Sequence, residues 1–195
     1  MSLIRSIRYV QCSLYHQFWS HIMRTRICPE DVRLPAFEEL SKGATEAYKL
    51  FQQELTLGKD LSRLKEMTSI RLYEHILEER THDLSNFEEI REKYGEDEDG
   101  SIRYESCESF LTNVDIDQNE QEIERAIREE DEEVLNSLKH RVRGYRLHFT
   151  FFTKQSAPWI ETNDGIGERI DTLVFDAHAV DGGEDLSDWV IETIE

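Results

Sequence analysis

Residues 34–80, LPAFEELSKGATEAYKLFQQELTLGKDLSRLKEMTSIRLYEHILEER, decide the fold class. Ala36, Phe37, Leu40, Ala44, Ala47, Tyr48, Phe51 and Leu55 recur at the three-and-four spacing that lines one face of an amphipathic helix. Glu38, Glu39, Lys42, Glu46, Lys49 and Gln53 occupy much of the remaining surface. Pro35 suits a first helical turn, and Gly58 stands where a left-handed stop residue is expected. Asp60 is placed to cap a second segment, with Leu61, Leu64 and Met67 as its apolar positions. Thr68 or Ser69 starts a third, with Ile70, Tyr73, Ile76 and Leu77 turned inward. One long and two short helices with a single apolar face form a layer covering something flat.

Working outward, the charge distribution comes next. The chain has 195 residues and a net charge of −19, which is unfavourable for general nucleic-acid binding because phosphate would be repelled. Met1–Cys28 carries Arg5, Arg8, Arg24 and Arg26 and no acid, whereas Pro29–Glu195 holds 19 basic and 42 acidic residues, a net of −23. An arginine-bearing, acid-free, Ser- and aromatic-containing start has the composition of a mitochondrial transit peptide. The alternative is a helix that stays attached and lies on an anionic membrane through Phe18, Trp19, Ile22 and Arg24. No run is apolar and long enough for a bilayer span. Cys12, Cys28 and Cys107 are odd in number, widely spaced and without CxxC, which argues for a reducing compartment and against a disulfide framework or zinc site.

Beyond residue 80, Ser85 and Glu88 have capping-box spacing and open a short helix ending near Gly95. Residues 96–100 read as an acidic turn, without the remaining ligands of a calcium loop. Ile102, Tyr104 and Phe110 alternate with charged residues as in a strand, and residues 111–117 extend it or form a second one. From Gln118 to Lys139 the chain is intensely charged, with a thin stripe of Ile123, Ile127, Val134, Leu135 and Leu138. Within it, Glu129, Glu130, Asp131, Glu132 and Glu133 form either a solvated face or a docking surface for a basic partner. Tyr145, Leu147, Phe149 and Phe151 alternate with polar residues as a half-buried strand. Ile170, Leu173, Phe175, Ala177 and Ala179 mark another, residues 181–185 a turn, and Trp189–Ile194 a final strand. Helices followed by strands imply an α+β fold with helices packed on an antiparallel sheet.

Two stretches resemble a known superfamily. GATEAYKLFQQEL followed by LSRLKEMTSIRLYEHI is similar to the start of the import-motor anchor domain of the mitochondrial inner-membrane translocase, through Gly43, Ala44, Ala47, Tyr48, Ser69 and Leu72. The closing DLSDWVIETIE resembles the last strand of the matrix AAA peptidase-interacting protein 1 family, through Asp188, Trp189, Ile191, Ile194 and Glu195. The resemblance spans about residues 28–195 and implies a cone-shaped fold of the nuclear-transport-factor-two type, with a curved antiparallel sheet. It further implies a matrix protein peripheral to the inner membrane, a non-enzymatic adaptor that binds the matrix AAA protease and assists newly imported inner-membrane proteins. Other branches dock mitoribosomes or import chaperones at the membrane. The motifs are largely packing residues, so they speak for fold before task.

No cofactor or DNA motif is present. The seven histidines lack HExxH or any clustered ligand spacing. His148, His178 and Asp176 would be the acid/base residues if they faced a shared pocket in an enzyme of this fold, the alternative being hydrogen-bonded or exposed strand positions. Trp159 and Trp189 are either interface anchors or core residues. Arg141, Arg143 and Arg146 form a basic island that either touches rRNA or lipid phosphate or, more simply, neutralises Glu129–Glu133.

Overall fold

The computed structural model describes residues 3–31, 33–57, 61–82, 92–93, 102–118, 127–128, 142–157, 166–180 and 185–194. Helix α1 (Leu3–Ile22) runs through a π-turn, Met23–Ile27, into the short α2 (Cys28–Glu30). Then come α3 (Phe37–Leu57), α4 (Ser62–Met67) and α5 (Ile70–His82), followed by strands β1 (Arg103–Gln118), β2 (Val142–Ser156), β3 (Ile166–Val180), β4 (Asp185–Leu186) and β5 (Val190–Ile194). The five strands form one antiparallel sheet in which β1, β2 and β3 are neighbours in order and β4 and β5 both pair with β3. The sheet curls into a half-barrel with the helices against it, the α+β architecture expected from the helix-then-strand pattern.

Helix α3 buries Phe37, Leu40, Ala44, Tyr48 and Phe51, the face its periodicity defines. Its first turn lies two residues beyond Pro35, because the Ala36 carbonyl accepts from the Glu39 and Leu40 amides. At its other end Arg80 of α5 donates to the Leu55 and Glu54 carbonyls, satisfying acceptors that a helix C-terminus leaves open. Gly58, Asp60 and the 85–88 capping box lie outside the described residues. The N-cap of α4 is Leu61, left-handed at φ 56° and without a side-chain cap, rather than Asp60. In α5 the Ser69 hydroxyl accepts the Leu72 amide, so Ser69 is the cap. The inward face of α5 matches the expectation at Ile76 and Tyr73 and differs at Ile70 and Leu77. Ile70 is 77% and Leu77 37% exposed, whereas Leu72 and Ile76 are buried. The phase of the helix is fixed outside it, where the Ser69 amide donates to the Ile191 carbonyl of β5.

Alternation along the long strands divides the sheet into two faces. Leu111, Val114, Leu147, Phe149, Phe151, Leu173, Phe175 and Ile191 join α3, α4 and α5 in the main core. Phe110 and Phe152 form a second cluster with Cys12 of α1. Adjacent Phe110 and Leu111 belong to different clusters, and the register shift between Leu111 and Asn113 shows where the β1 pattern is interrupted.

The charge boundary at Cys28 is not a packing boundary. Helix α1 crosses the outer face and wraps the exposed edge of β1, where His16 Nδ1 accepts the Leu111 amide at 3.0 Å. Covering an edge strand removes a template for unwanted pairing. Arg5 reaches the Thr153 carbonyl and Glu168, Tyr9 donates to Glu108 at 2.5 Å, and Met23 is fully buried in the main core. Desolvation is the main reason the His16 ring is held below its ordinary pKa, consistent with a neutral acceptor.

A polar clamp follows α2. Arg33 binds Asp31 through two guanidinium nitrogens at 2.8 and 2.6 Å, and the Tyr145 hydroxyl of β2 donates to the same carboxylate at 2.6 Å. The Arg33 guanidinium, then the Tyr145 hydroxyl, holds the Asp31 carboxyl down at about 2. A depressed folded-state pKa contributes stability that is present above the unfolded value of about 3.9 and lost as pH falls toward 2, about 2 kcal/mol here. In urea titrations between pH 4 and pH 2 the wild type is expected to lose this increment, while Asp31→Asn shows a flatter profile over that window.

Candidate functional site

Two surfaces stand apart from the packed interior. The first is a cavity of about 390 Å³ between α3, α4 and the inner face of the sheet, within the ~300–1,000 Å³ range of ligand pockets. Leu147, Phe149 and Phe175 form its floor, Leu40, Ala44 and Ala47 its α3 wall, and Met67, Ile191 and Trp189 the opposite side. Pro35, Gly43, Glu39 and Glu66 complete the lining, and the two glutamates are exposed. The α3 wall is cut low by small residues at 43, 44 and 47, which is why a gap persists between helix and sheet.

Trp189 reaches this site because the segment before β5 is tied down. The Ser187 amide donates to the His178 carbonyl at 2.7 Å, and the His178 amide donates to the Ser187 hydroxyl at 3.0 Å. Trp189 packs partly against the main core, as the core alternative expects, and it also lines the cavity. The other expected partner-binding residues, Glu129, Glu130, Asp131, Glu132 and Glu133, lie outside the described residues, as do Trp159 and Arg141.

The histidine pair does not converge on a pocket. His148 Nε2 lies 3.0 Å from Asp115 and His178 Nε2 lies 3.0 Å from Asp176, so each faces its own carboxylate. They sit at even positions of β2 and β3, on the sheet face opposite the cavity floor formed by Leu147, Phe149 and Phe175. Alternation by two therefore separates them from the cavity. Arg146 pairs with Asp176 at 3.2 Å, and the acidic run expected beside it lies outside the described residues.

At the far end of the inner face the Tyr48 hydroxyl donates to Asp171 at 2.6 Å, and Arg169 bridges Asp171 and the buried Gln52 at 3.2 Å each. Burial and the adjacent carboxylate push the Tyr48 hydroxyl far above its ordinary pKa, so it stays a donor. Cys12, Cys28 and Cys107 are free, and burial raises the pKa of all three, which keeps them as thiols and poor nucleophiles. Among the described residues no three His, Cys, Asp or Glu side chains are grouped to hold a metal.

The second surface is the outward face of α1. Ile4, Ile7, Val10, Leu14, Tyr15 and Phe18 are 51–78% exposed. Their spacing places them together on the side of the helix opposite Cys12, His16 and Met23. Trp19 is turned partly into the core and Arg24 pairs with Glu38 at 2.7 Å while lying over Phe37. Of the expected contact set, Phe18 is exposed on this face, Ile22 is half-buried, and Trp19 and Arg24 are engaged as described; the other exposed apolar residues lie earlier in the helix. Periodicity in residues 4–18 carries this signal, but composition alone drew attention to the cations. For the cavity the only local hint is Gly43, a weak helix former inside an otherwise strong helix.

Among the described residues no helix is long and apolar enough to cross a membrane. No protein-family model matches the chain, and no curated protein matches it either.

Proposed function

We propose that the chain is a non-enzymatic adaptor of the mitochondrial matrix, peripheral to the inner membrane, that binds the matrix AAA protease and assists newly imported inner-membrane proteins. The observation that carries the membrane part is the outward face of α1. Six exposed apolar side chains share a segment that has four arginines and no acid, on a chain that is otherwise strongly acidic. An anionic bilayer rewards both properties, through burial of the apolar face and attraction of the cations, chiefly Arg8 and Arg26, since Arg5 and Arg24 pair with Glu168 and Glu38. The acidic remainder is repelled by the same surface, which orients the chain with α1 downward and the cavity free.

The protease and the client class enter through the resemblance of Gly43, Ala44, Ala47, Tyr48, Ser69, Leu72 and the closing DLSDWVIETIE to the adaptor branch. The N-terminal segment supports the attached alternative for residues 1–28, since Cys12 of α1 and Met23 of the π-turn enter the two cores. Affinity capture of the tagged full chain from detergent-solubilised mitochondria tests the reading. Recovery of the matrix AAA protease is the expected result. Recovery of mitoribosomal proteins or import chaperones in its place would move the function to a docking subunit, and absence from mitochondria would overturn the assignment.

A further inference from the structure

The cavity has an apolar interior and a rim of one sign. Glu39 on α3 and Glu66 on α4 are its charged lining residues, and among the described residues no lysine or arginine lines it. Lys42, beside Gly43, lies 3.9 Å from Glu46 on the exposed side of α3, and Arg24 is held by Glu38. A fatty acid or an anionic lipid headgroup entering here would bring its charge against two carboxylates. A helix with apolar side chains on one face and Lys or Arg beside them fits both levels, seating the former on Phe149 and Phe175 and the latter against Glu39 and Glu66.

Gly43 keeps the way in open. It lies in the interior of α3, one turn after Glu39, and a Cβ built there meets no atom within 4 Å. Glycine weakens a helix interior, and nothing in the packing demands it at this position. What it provides is clearance above the cavity wall.

We infer that this cavity binds the apolar face of a basic amphipathic helix in a client protein, with Glu39 and Glu66 pairing with its cations. The inference rests on the adaptor reading for its setting but not on α1, so membrane attachment and client binding fail independently. The test is fluorescence anisotropy with the full chain and a labelled fifteen-residue helical peptide carrying leucines on one face and arginines on the flanks. A twin peptide has glutamates in place of the arginines. The twin is expected to bind at least tenfold more weakly, and Glu39→Gln/Glu66→Gln to weaken the cationic peptide about three- to tenfold, with a shallower salt dependence. Gly43→Leu, which favours the helix and fills the entrance, is expected to weaken it at least tenfold while the protein still floats with anionic vesicles. Equal binding of the twin, unchanged affinity of Gly43→Leu, or tighter binding of oleate than of the peptide would overturn the inference. So would a concentration-dependent dimer that Gly43→Leu dissociates, because the occupant would then be a second copy of the chain.

Discussion

Replacing Met23 with alanine is expected to lower the unfolding free energy by about 2–5 kcal/mol, as large-to-small changes in a closed core do. Met23 has no exposed surface and lies in the main cluster with residues from α3, the sheet and β5. The loss combines transfer of the thioether and methyl groups to water with a void that its neighbours fill only in part. This makes the acid-free leader a structural element as well as a charged one. Neighbouring Arg24→Gln is the control, since an exposed, solvent-screened ion pair with Glu38 contributes little to stability. Chemical denaturation followed by circular dichroism reads both. A Met23→Ala midpoint equal to that of Arg24→Gln would mean that residues 3–30 do not contribute to the folded core.

Tyr48→Ala is expected to cost about 3–5 kcal/mol, the range for truncating a buried aromatic residue. The ring stacks on Phe151 with centroids 4.3 Å apart and planes 10° apart. Its hydroxyl also ties α3 to β3 through Asp171. Tyr48→Phe separates the two contributions. It keeps the stack and leaves a buried carboxylate oxygen without its donor, a loss of about 1–3 kcal/mol. Asp171 keeps its bond from Arg169, which places the expected value toward the lower end. If Tyr48→Phe is as damaging as Tyr48→Ala, the hydrogen bond rather than the aromatic stack dominates this junction.

The parts of this fold legible in sequence are those fixed by local periodicity. Helix α3 declares its buried face because Phe37, Leu40, Ala44, Tyr48 and Phe51 recur among polar and charged residues over about four turns. The strand at 142–156 declares itself through Tyr145, Leu147, Phe149 and Phe151 alternating with polar residues, and that at 190–194 through a short run of β-branched residues. Helix α5 offers Ile70 and Leu77 as plausible inward residues, and its true phase depends on a backbone bond to Ile191 more than a hundred positions away. The interruption of β1 at Thr112 is equally silent, since a register shift arises from pairing with β2 and not from residue type. The two-residue β4 is too short to carry a pattern. The cavity belongs to no single element, being the space left where small residues of α3 face Phe149 and Phe175. The divided role of α1 was partly visible: its cations are obvious, but its inner face of Cys12, His16 and Met23 is too mixed to look like a core stripe.

Vesicle flotation tests the central claim most directly. The full chain is mixed with vesicles of phosphatidylcholine alone or with one-third phosphatidylglycerol, then centrifuged through a density step at low and at physiological salt. The wild type is expected to float with the anionic vesicles, more strongly at low salt, and to stay below with the neutral ones. Ile7→Glu/Leu14→Glu, which changes two exposed residues of α1, is expected to reduce the bound fraction at least tenfold without changing the unfolding midpoint. A wild type that ignores anionic vesicles, or a double variant that floats as well as the wild type, would contradict membrane attachment through α1.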